Sequence, residues 1–336
     1  MAVFAQYDTP FGSILDVPGV HLGHHERRGR GWQTGTTVVL VPRGATPGVD
    51  VRGGGPGTRE TDALRPENLI EQIHAVTLTG GSAYGLAAAD GVVRVLEEAR
   101  LGFPIKDHVV PVVPGAVVFD LARGGSFANR PDATFGERAA RAALRGRTRP
   151  AWGSVGAGTG AQAGGLQGGV GTASAQITIG AATVTVGAVA VVNSNGSPID
   201  PDTGLPWVPG PGLPRRVSAA ARTRVREAGS ARPAVSLNTT IGVIATDVAL
   251  DKAMSSKLAA VGHDGLARAI RPAHAMTDGD SVFALATGVH PLVDRIRDVN
   301  LVLAAGAEVF ALACTHAVVA ASTLGEAAAW VDLVAE

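Results

Sequence analysis

The amino-acid sequence predicts a mixed α/β protein with a large core. The chain has 336 residues, of which 46% are hydrophobic and 17% are charged, so a sizeable interior can form. Short apolar runs rich in β-branched residues predict strands, and longer segments between them predict helices. The two kinds of segment are mixed without strict alternation and show no internal repeat. The chain is therefore expected to form one large domain or two small ones.

The predicted elements follow one another along most of the chain. Strands are expected at 36–41, 74–80, 115–119, 182–192, 237–247 and 281–286. Helices are expected at 66–73, 83–100, 135–145, 215–228, 250–270 and 300–321. Glycine, at 45 residues, clusters in 53–57 and 153–171, which predicts tight turns and close approaches of the backbone.

One segment differs from the rest of the chain in composition. Residues 193–214, NSNGSPIDPDTGLPWVPGPGLP, are rich in proline, glycine and aspartate and predict a loop. Residues 215–236 then predict a polar helix and a linker that ends just before Asn238. A mobile arm directly before a cleavage junction is what self-processing requires, because the new N-terminus must be released. The alternative interpretation is an ordinary surface loop.

Charge and cysteine content exclude several classes of function. Lys+Arg and Asp+Glu both number 29, so the zero net charge gives no argument for nucleic acid, a membrane surface or an acidic partner. Cys314 is the only cysteine, which excludes an intrachain disulfide and a cysteine-based metal site. His21, His24 and His25 lie close together, but no second cluster with ligand spacing accompanies them. No metal or cofactor is therefore predicted.

Two features of the sequence predict a cytoplasmic protein. The first twenty residues lack the basic start and apolar core of a signal peptide. The most apolar stretch, 301–321, contains Glu308 and His316, so a core helix explains it better than a membrane span.

A candidate nucleophile lies at the front of the strand LNTTIGVIATD at 237–247. Its first residues include Asn238, Thr239 and Thr240, followed by a buried apolar run. A threonine hydroxyl becomes a good nucleophile when a base lies within hydrogen-bond reach. A cut between Asn238 and Thr239 would create that base, because the new α-amine has a reference pKa of about 7.7–8.0. By itself, however, an NTT triplet before a strand is more often an ordinary strand entry.

An acidic pair supports the catalytic interpretation. Asp278 and Asp280 flank Gly279 directly before the predicted strand 281–286, and two residues apart in an extended chain place side chains on one face. Paired carboxylates beside an N-terminal amine can hold the amine, hydrogen-bond the threonine hydroxyl and tune proton transfer. A turn in a solvated loop is the commoner meaning of a DGD triplet.

Several of these motifs together resemble a known family. NTTIGVIATD, RPAHAMTDGDSVFALATG at 271–288, DVPGVHLGH at 16–24 and VRGGGPGTRE at 51–60 are similar, in order and spacing, to the P1 family (peptidase S58) of self-cleaving aminopeptidases and amidases. That family includes the L-aminopeptidase/D-esterase and β-peptidyl aminopeptidase group. The Asn-Thr junction and the DGD motif, 278 − 239 = 39 residues apart, most resemble the endo-type 6-aminohexanoate (nylon) oligomer hydrolases.

The resemblance implies a fold and a mode of maturation. The fold would be an αββα sandwich, shared with ornithine acetyltransferase. A single domain would be cut into an α chain of residues 1–238 and a β chain of residues 239–336 that begins with the nucleophile. Such pairs would assemble into a homotetramer that needs no cofactor and acts on small amide or peptide substrates.

The resemblance also implies roles for individual residues. Thr239 would be the nucleophile, Asp278 and Asp280 would be its partners, and the side-chain amide of Asn193 would donate to the oxyanion. In the run TGGSAYGL at 79–86, Tyr84 would line the substrate pocket. Phe119, in AVVFD, would also line this pocket.

The chain differs from the nylon-oligomer hydrolases at two positions near these site residues. Gly165 stands in GAGTGAQAGGL where those enzymes carry a lysine, and Phe119 stands where they carry a tyrosine. Loss of the lysine removes a cation near the reacting groups, which puts activity on nylon-type oligomers in doubt. The alternatives to hydrolysis are an acyltransferase, like ornithine acetyltransferase, and a non-catalytic binding scaffold with an intact Asn-Thr bond.

Overall fold

The computed structural model describes residues 11–146, 151–230 and 237–335. The strands of these ranges are β1 (His21–Gly29), β2 (Trp32–Val51), β3 (Thr58–Arg59), β4 (Ile73–Thr79), β5 (Phe103–Ile105), β6 (His108–Val110), β7 (Gly115–Val117), β8 (Gln162–Ala163), β9 (Leu166–Gln167), β10 (Gly169–Ile179), β11 (Ala182–Asn193), β12 (Thr239–Val248) and β13 (Ser281–His290). Their helices are α1 (Ser82–Gly85), α2 (Ala88–Glu98), α3 (Ala133–Leu144), α4 (Ala219–Ser230), α5 (Lys252–Ala269), α6 (Arg295–Val319) and α7 (Trp330–Val334). Short 3₁₀ turns occur at Ile14–Asp16, Asp62–Leu64 and Gly156–Gly158.

The long strand β2 joins two halves of one sheet. Within the described residues the nine strands are ordered β10-β11-β12-β13-β2-β4-β7-β3, and β1 also pairs with β2. Residues 36–40 of β2 pair with β4, whereas residues 46–51 pair with β13. The β12–β13 and β4–β7 pairs are parallel and the other pairs of this sheet are antiparallel. The sheet is therefore mixed, with β12 and β13 near the centre of its second half.

Three separate apolar clusters show that the two halves of the sheet lie face to face between helices. One cluster combines residues of β2 and β4 with residues of β11, β12 and β13, so it fills the space between the halves. A second packs α5 and α6 on the outside of β10–β13, and a third packs α2 and α3 on the outside of β2 and β4. This αββα layering confirms the fold class expected from the sequence.

Strand β13 shows how the sequence builds these layers. Val282 and Ala284 belong to the cluster under α5 and α6, whereas Phe283 and Leu285 belong to the cluster between the sheet halves. Successive side chains of a strand point to opposite faces, and here both faces are covered by protein. A strand buried on both faces is apolar throughout, which is why β12 and β13 are recognisable in the sequence as continuous hydrophobic runs.

Glycine allows α2 and α3 to pack closely. A Cβ atom on Gly91 would lie 1.8 Å from the carbonyl oxygen of Ala133, and one on Gly136 would lie 1.7 Å from that of Ala88. Since only hydrogen fits at both positions, the backbones of the two helices come into direct contact. Part of the high glycine content therefore serves helix packing rather than turns.

Helix α6 is the stretch with membrane-like composition. It is long and apolar enough to cross a membrane, but 67% of its most apolar window is buried inside the protein. Cys314 lies within it and is buried, and burial raises the pKa of its thiol. The predictions of a core helix and a buried, unpaired cysteine are confirmed.

Most predicted elements are present, but one predicted helix is absent and several strands, including the short β3, β5, β6, β8 and β9, were not predicted. The helix expected at 66–73 is wrong: this segment carries no regular helix, because its side chains, such as Leu69 at 74% exposed, have no face to bury. Strand β1 and strand β10, in part within the glycine cluster 153–171, were not predicted. The predicted loop after β11 is irregular and α4 matches the predicted polar helix, while the linker at 231–236 lies outside the described residues.

Candidate active site

The candidate site forms where three strand ends meet. Strand β12 begins at Thr239 and its parallel neighbour β13 begins at Ser281, so their amino ends lie at the same edge. Strand β11 is antiparallel to β12 and ends there, with Asn193 directly opposite Thr239. A short parallel bridge between Asn238 and Asp278 extends the pairing beyond the strand ends. The topology thereby brings together all five residues predicted to carry the chemistry and the cut.

The junction between Asn238 and Thr239 is held by backbone hydrogen bonds. The Asn238 N–H donates to the carbonyl oxygen of Thr277 at 3.0 Å, and the Asn238 carbonyl oxygen accepts from the Gly279 N–H at 3.1 Å. The Thr239 hydroxyl also donates to the Asn238 carbonyl oxygen. The hydroxyl therefore lies against the carbonyl group that precedes it, and a backbone donor already binds the oxygen that would become negative during attack.

Gly279 is a position of the candidate site that the sequence analysis did not single out. A Cβ atom there would lie 2.8 Å from the Thr239 Oγ1 and 2.7 Å from the carbonyl oxygen of Gly55. Any side chain at this position would therefore push against the hydroxyl or the opposite wall. A glycine between two acids was the only available signal, and it is equally typical of a turn.

Asp280 connects the start of β12 to the loop before β13. Its Oδ1 accepts from the Thr240 N–H at 2.7 Å, and its Oδ2 lies 2.7 Å from His274 Nδ1 and accepts from the His274 N–H at 3.2 Å. The His274 ring packs edge-on against the ring of His263, with 4.9 Å between centroids. Asp280 is only 2% exposed, so this buried carboxylate holds the backbone directly after Thr239.

Asp278 is the second buried carboxylate, at 1% exposed. It accepts hydrogen bonds from the backbone N–H groups of Ala275 at 3.0 Å and Asn195 at 3.3 Å. Burial and the neighbouring charge of Asp280 raise the pKa of Asp278. Among the described residues of the uncut chain, neither Asp278 nor Asp280 hydrogen-bonds the Thr239 hydroxyl. Both carboxylates instead bind backbone N–H groups around the Asn238–Thr239 junction.

The side chain of Asn193 is held at every polar atom. Its Oδ1 accepts from Arg123 Nη1 at 2.6 Å and from the Gln162 N–H at 2.9 Å, and its Nδ2 donates to the carbonyl oxygen of Phe119 at 3.1 Å. Asn193 lies beside the junction, as expected, but this amide nitrogen is directed to Phe119. Its role as oxyanion donor stays a prediction.

Arg123 is the other residue that the sequence analysis missed. Its Nη2 donates to the carbonyl oxygen of Leu237 at 2.8 Å, two residues before Thr239, while its Nη1 holds Asn193. Burial lowers the pKa of Arg123 to about 10, and the charge of Asp120 opposes this shift, so the guanidinium remains charged at neutral pH. The signal was its position four residues after Phe119, in a segment already suspected of lining the pocket.

Asp120 ties this segment to the glycine turn before α1. It accepts from the Thr34 hydroxyl at 2.6 Å and from the Gly81 N–H at 2.7 Å. Burial raises its pKa to about 6. The turn that carries Tyr84 and the loop that carries Arg123 are thus held together by one buried carboxylate.

The two predicted pocket aromatics occupy different surroundings. Phe119 is half-buried and lies at the site, because its carbonyl oxygen binds Asn193 and its ring is 5.5 Å from the Arg123 guanidinium. Tyr84 is 56% exposed, and the Arg130 guanidinium stacks 3.8 Å over its ring. No contact of the described residues links Tyr84 to Thr239, so its place in the pocket stays a prediction.

The surroundings of Gly165 explain why a lysine does not fit there. Its φ of +90° lies in the region that favours glycine, and a Cβ atom would come 2.7 Å from the carbonyl oxygen of Ala228 near the end of α4. A lysine at this position would strain the backbone and displace α4. Among the described residues, Arg123 supplies a cation at the junction through its contact with Leu237.

The histidines near the amino terminus are occupied by packing contacts. His24 is buried against the Thr37 hydroxyl, and burial lowers its pKa to about 4. The His25 ring packs edge-on against Phe135. Throughout residues 11–146, 151–230 and 237–335, no group of three His, Cys, Asp or Glu side chains is placed to hold a metal ion.

Known proteins are similar to this chain in sequence and in fold. Residues 12–329 match peptidase family S58. An uncharacterized aminopeptidase of Mycobacterium tuberculosis is 52% identical over 287 residues, covering 82% of this chain and 81% of the relative. A 6-aminohexanoate-oligomer endohydrolase of Kocuria sp. is 32% identical over 290 residues, covering 81% and 74%.

A solved structure agrees on the fold. The L-aminopeptidase D-Ala-esterase/amidase of Ochrobactrum anthropi, described as a variant of the Ntn-hydrolase fold, superposes with a TM-score of 0.67 at 21% identity, over 95% of this chain and 88% of the other. The family match covers nearly the whole chain and includes every residue of the site described above. The chain therefore belongs to peptidase family S58 and is a hydrolase of amide bonds.

Proposed function

We propose that this hydrolase is made as a precursor and activates itself by cutting the Asn238–Thr239 bond. The observation that supports this most directly is the Thr239 hydroxyl bound to the Asn238 carbonyl oxygen, with the Gly279 N–H on the same oxygen. The products are an α chain of residues 1–238 and a β chain of residues 239–336 of one domain.

The cut proceeds as an acyl shift followed by hydrolysis. Thr239 Oγ1 attacks the Asn238 carbonyl carbon, and the negative oxygen of the tetrahedral intermediate is bound by the Gly279 N–H. The hydroxyl proton lost by Oγ1 is transferred to the Thr239 nitrogen as the bond from that nitrogen to the carbonyl carbon breaks, which leaves an ester between Asn238 and the Thr239 oxygen. Water then hydrolyses the ester, and the products are the Asn238 carboxylate and a Thr239 with a free amine and hydroxyl.

Substrate turnover reuses the same atoms. The free α-amine of Thr239 accepts the hydroxyl proton as Oγ1 attacks a substrate amide, and it returns the proton to the leaving amine. The Gly279 N–H and the Asn193 amide stabilise the oxyanion, and Asp278 and Asp280 position the nucleophile. Water releases the acyl group, so no cofactor enters the reaction.

The relatives suggest the setting of this activity. Their names include an aminopeptidase and an oligomer endohydrolase, so small peptides and other linear amides are the substrate class we propose. We further propose that the processed pairs assemble into a homotetramer in the cytoplasm, as the family resemblance implies.

Purified protein is expected to contain two chains. Denaturing mass spectrometry should find a smaller chain of 336 − 238 = 98 residues that begins with Thr239. A single intact chain after long incubation at neutral pH would argue for a non-catalytic scaffold. A cut before Thr240 would identify a different nucleophile.

Replacing Gly279 with alanine should block both processing and turnover. The added Cβ would lie 2.8 Å from Thr239 Oγ1, so the hydroxyl or the Gly279 N–H must move away from the reacting carbonyl. We expect a loss of at least about 10²-fold in the rate of cutting, the size of effect seen when one oxyanion donor is removed.

Gly55→Ala is the matched control for this change. Gly55 packs against the same segment, but a Cβ there would meet only ordinary contacts, the nearest being Met276 O at 3.7 Å. Cutting followed by mass spectrometry should be normal in Gly55→Ala and slow in Gly279→Ala. Normal cutting in both would remove Gly279 from the proposed mechanism.

A further inference from the structure

We infer that Arg123 selects the acyl part of the substrate. The site is inferred to favour an acyl group with a carbonyl or carboxylate oxygen one residue before the bond that is cut, and to disfavour a free N-terminal ammonium there. This inference rests on the proposed function. It adds a substrate class and identifies Arg123 as the residue that recognises that class.

The uncut junction shows where the acyl part of a substrate binds. The ester formed during processing joins Asn238 to the Thr239 oxygen, and every later substrate forms the same kind of ester with the same oxygen. The intermediate of processing is thus an acyl-enzyme whose acyl part is the segment ending in Leu237 and Asn238. Groups that hold this segment in the precursor therefore mark the acyl subsite of the mature enzyme.

Besides the Thr239 hydroxyl itself, three groups hold the backbone of this segment, and two of them contact only Asn238. The Asn193 carbonyl oxygen also accepts from the side-chain amide of Asn238 at 3.1 Å. The Thr277 carbonyl oxygen accepts from the Asn238 N–H, and the Gly279 N–H donates to the Asn238 carbonyl oxygen. These contacts suit any residue with an amine or amide nitrogen and a scissile carbonyl. They cannot distinguish a free N-terminal residue from one inside a chain.

Arg123 is the group that makes this distinction. Its Nη2 donates to the Leu237 carbonyl oxygen, the oxygen of the amide that acylates the Asn238 nitrogen. A substrate with an N-acylated residue supplies the same oxygen. A free amino-terminal residue supplies no oxygen there and places its ammonium next to the guanidinium, where like charges repel.

The charges around Arg123 support this assignment. Its second terminal nitrogen is already bound to Asn193 Oδ1, which fixes the direction of the guanidinium. The charge of Asp120 acts on Arg123, and Asp120 is itself bound to Thr34 and Gly81. Asp278 and Asp280 accept hydrogen bonds from backbone N–H groups and from His274. Leu237 is 51% exposed, so the subsite is open at this end and can admit a longer acyl chain.

A matched pair of chromogenic substrates tests the inference. N-acetyl-alanine p-nitroanilide and alanine p-nitroanilide have the same scissile bond and differ only in the acetyl group. At pH 6.5 the processed wild-type enzyme should show a kcat/KM at least about tenfold higher for the acetylated substrate. N-succinyl-alanine p-nitroanilide, which adds a carboxylate, shows whether the negative charge improves on the carbonyl oxygen alone.

The ratio of the two rates should change with pH in a defined direction. The substrate α-amine has a pKa of about 7.7–8.0, so raising the pH from 6.5 to 9 removes its charge. The ratio of kcat/KM values should then fall, because the charge repulsion is gone. The preference that remains comes from the acetyl oxygen, which alanine p-nitroanilide lacks. The Thr239 amine titrates in the same range but acts on both substrates, and it therefore cancels in the ratio.

Arg123 variants separate selection from general support of the site. Arg123→Gln should lower the ratio of kcat/KM for the acetylated over the free substrate by about 10-fold or more, mainly through KM of the acetylated substrate. Loss of the contact with Asn193 slows both substrates alike and therefore cancels in this ratio. Arg123→Lys should keep most of the preference, and Arg123→Glu should reverse it. Rates are divided by the fraction of cut chain found by mass spectrometry, so slower processing does not affect the comparison.

The outcomes distinguish this inference from the proposed function. Equal losses on both substrates in Arg123→Gln, or a wild-type preference for the free amine, would overturn the selection by Arg123 and leave the nucleophile in place. Cut wild-type enzyme that hydrolyses none of the three substrates would overturn the proposed amidase and this inference together.

Discussion

Thr239→Ala should leave an uncut chain of 336 residues that folds but hydrolyses no amide. The same oxygen attacks the Asn238 carbonyl during processing and the substrate during turnover, so its loss removes both reactions. Removing the buried hydroxyl and methyl group of one threonine changes the free energy of unfolding by only about 2 kcal/mol, so the fold should persist. Mass spectrometry and amide hydrolysis measure the two losses, and circular dichroism checks the fold.

Two further variants show whether the effect belongs to this hydroxyl. Thr239→Ser keeps an attacking oxygen and should retain part of both activities. Thr240→Val is the neighbouring control: the Thr240 hydroxyl is buried and makes no hydrogen bond to the described residues, so an isosteric valine should cut and hydrolyse normally. Hydrolysis by a folded Thr239→Ala variant would place the nucleophile elsewhere, with Thr240 the first alternative.

Changing Asp278 or Asp280 to alanine should lower the amidase rate by about 10²-fold or more, the range of positioned acid–base groups. Asp280 holds the Thr240 N–H, and Asp278 holds the backbone of Ala275 and Asn195 beside the junction. Without either carboxylate the nucleophile loses its alignment, and processing should slow as well. Steady-state kinetics on the cut fraction gives the effect on turnover alone.

These buried carboxylates also support the local structure, so a fold control is needed. Removing either leaves backbone N–H groups without an acceptor, at a cost of about 1–3 kcal/mol for each buried group. Asp278→Asn and Asp280→Asn keep an acceptor oxygen at similar volume and should fold better than the alanine variants while still losing activity. Asp202→Ala, at an aspartate whose side chain is 90% exposed, should behave as wild type. Full activity of both alanine variants would show that Asp278 and Asp280 have no role in the reaction.

The sequence predicted the central strands for physical reasons, and the family resemblance pointed to the candidate residues at their starts. The middle parts of strands β12 and β13, residues 241–245 and 282–286, are covered on both faces, so these runs are apolar and stand out in the sequence. Thr239 and the pair Asp278 and Asp280 lie directly at the starts of these strands, and parallel pairing brings such starts together.

The residues that were missed act through contacts that no local pattern encodes. Arg123 reaches Leu237 across 114 positions of the sequence, and Gly279 acts through its backbone N–H and its lack of a side chain. The false helix at 66–73 has helix-forming residues but no apolar face for the core to hold. Strand β10 begins in a glycine-rich stretch, where a turn is the usual expectation.

The position of β12 and β13 in the sheet determines what a cut at Thr239 would do to folding. Both strands would belong to the β chain, yet β12 pairs with β11 and β13 pairs with β2, which would belong to the α chain. The two products would remain interlocked as a heterodimer that could separate only by unfolding. Refolding would then require two chains to meet, so recovery after denaturation would depend on protein concentration, whereas the precursor refolds as one molecule. Processing would thus make maturation a one-way step: a mature molecule that unfolds in dilute solution would not readily return.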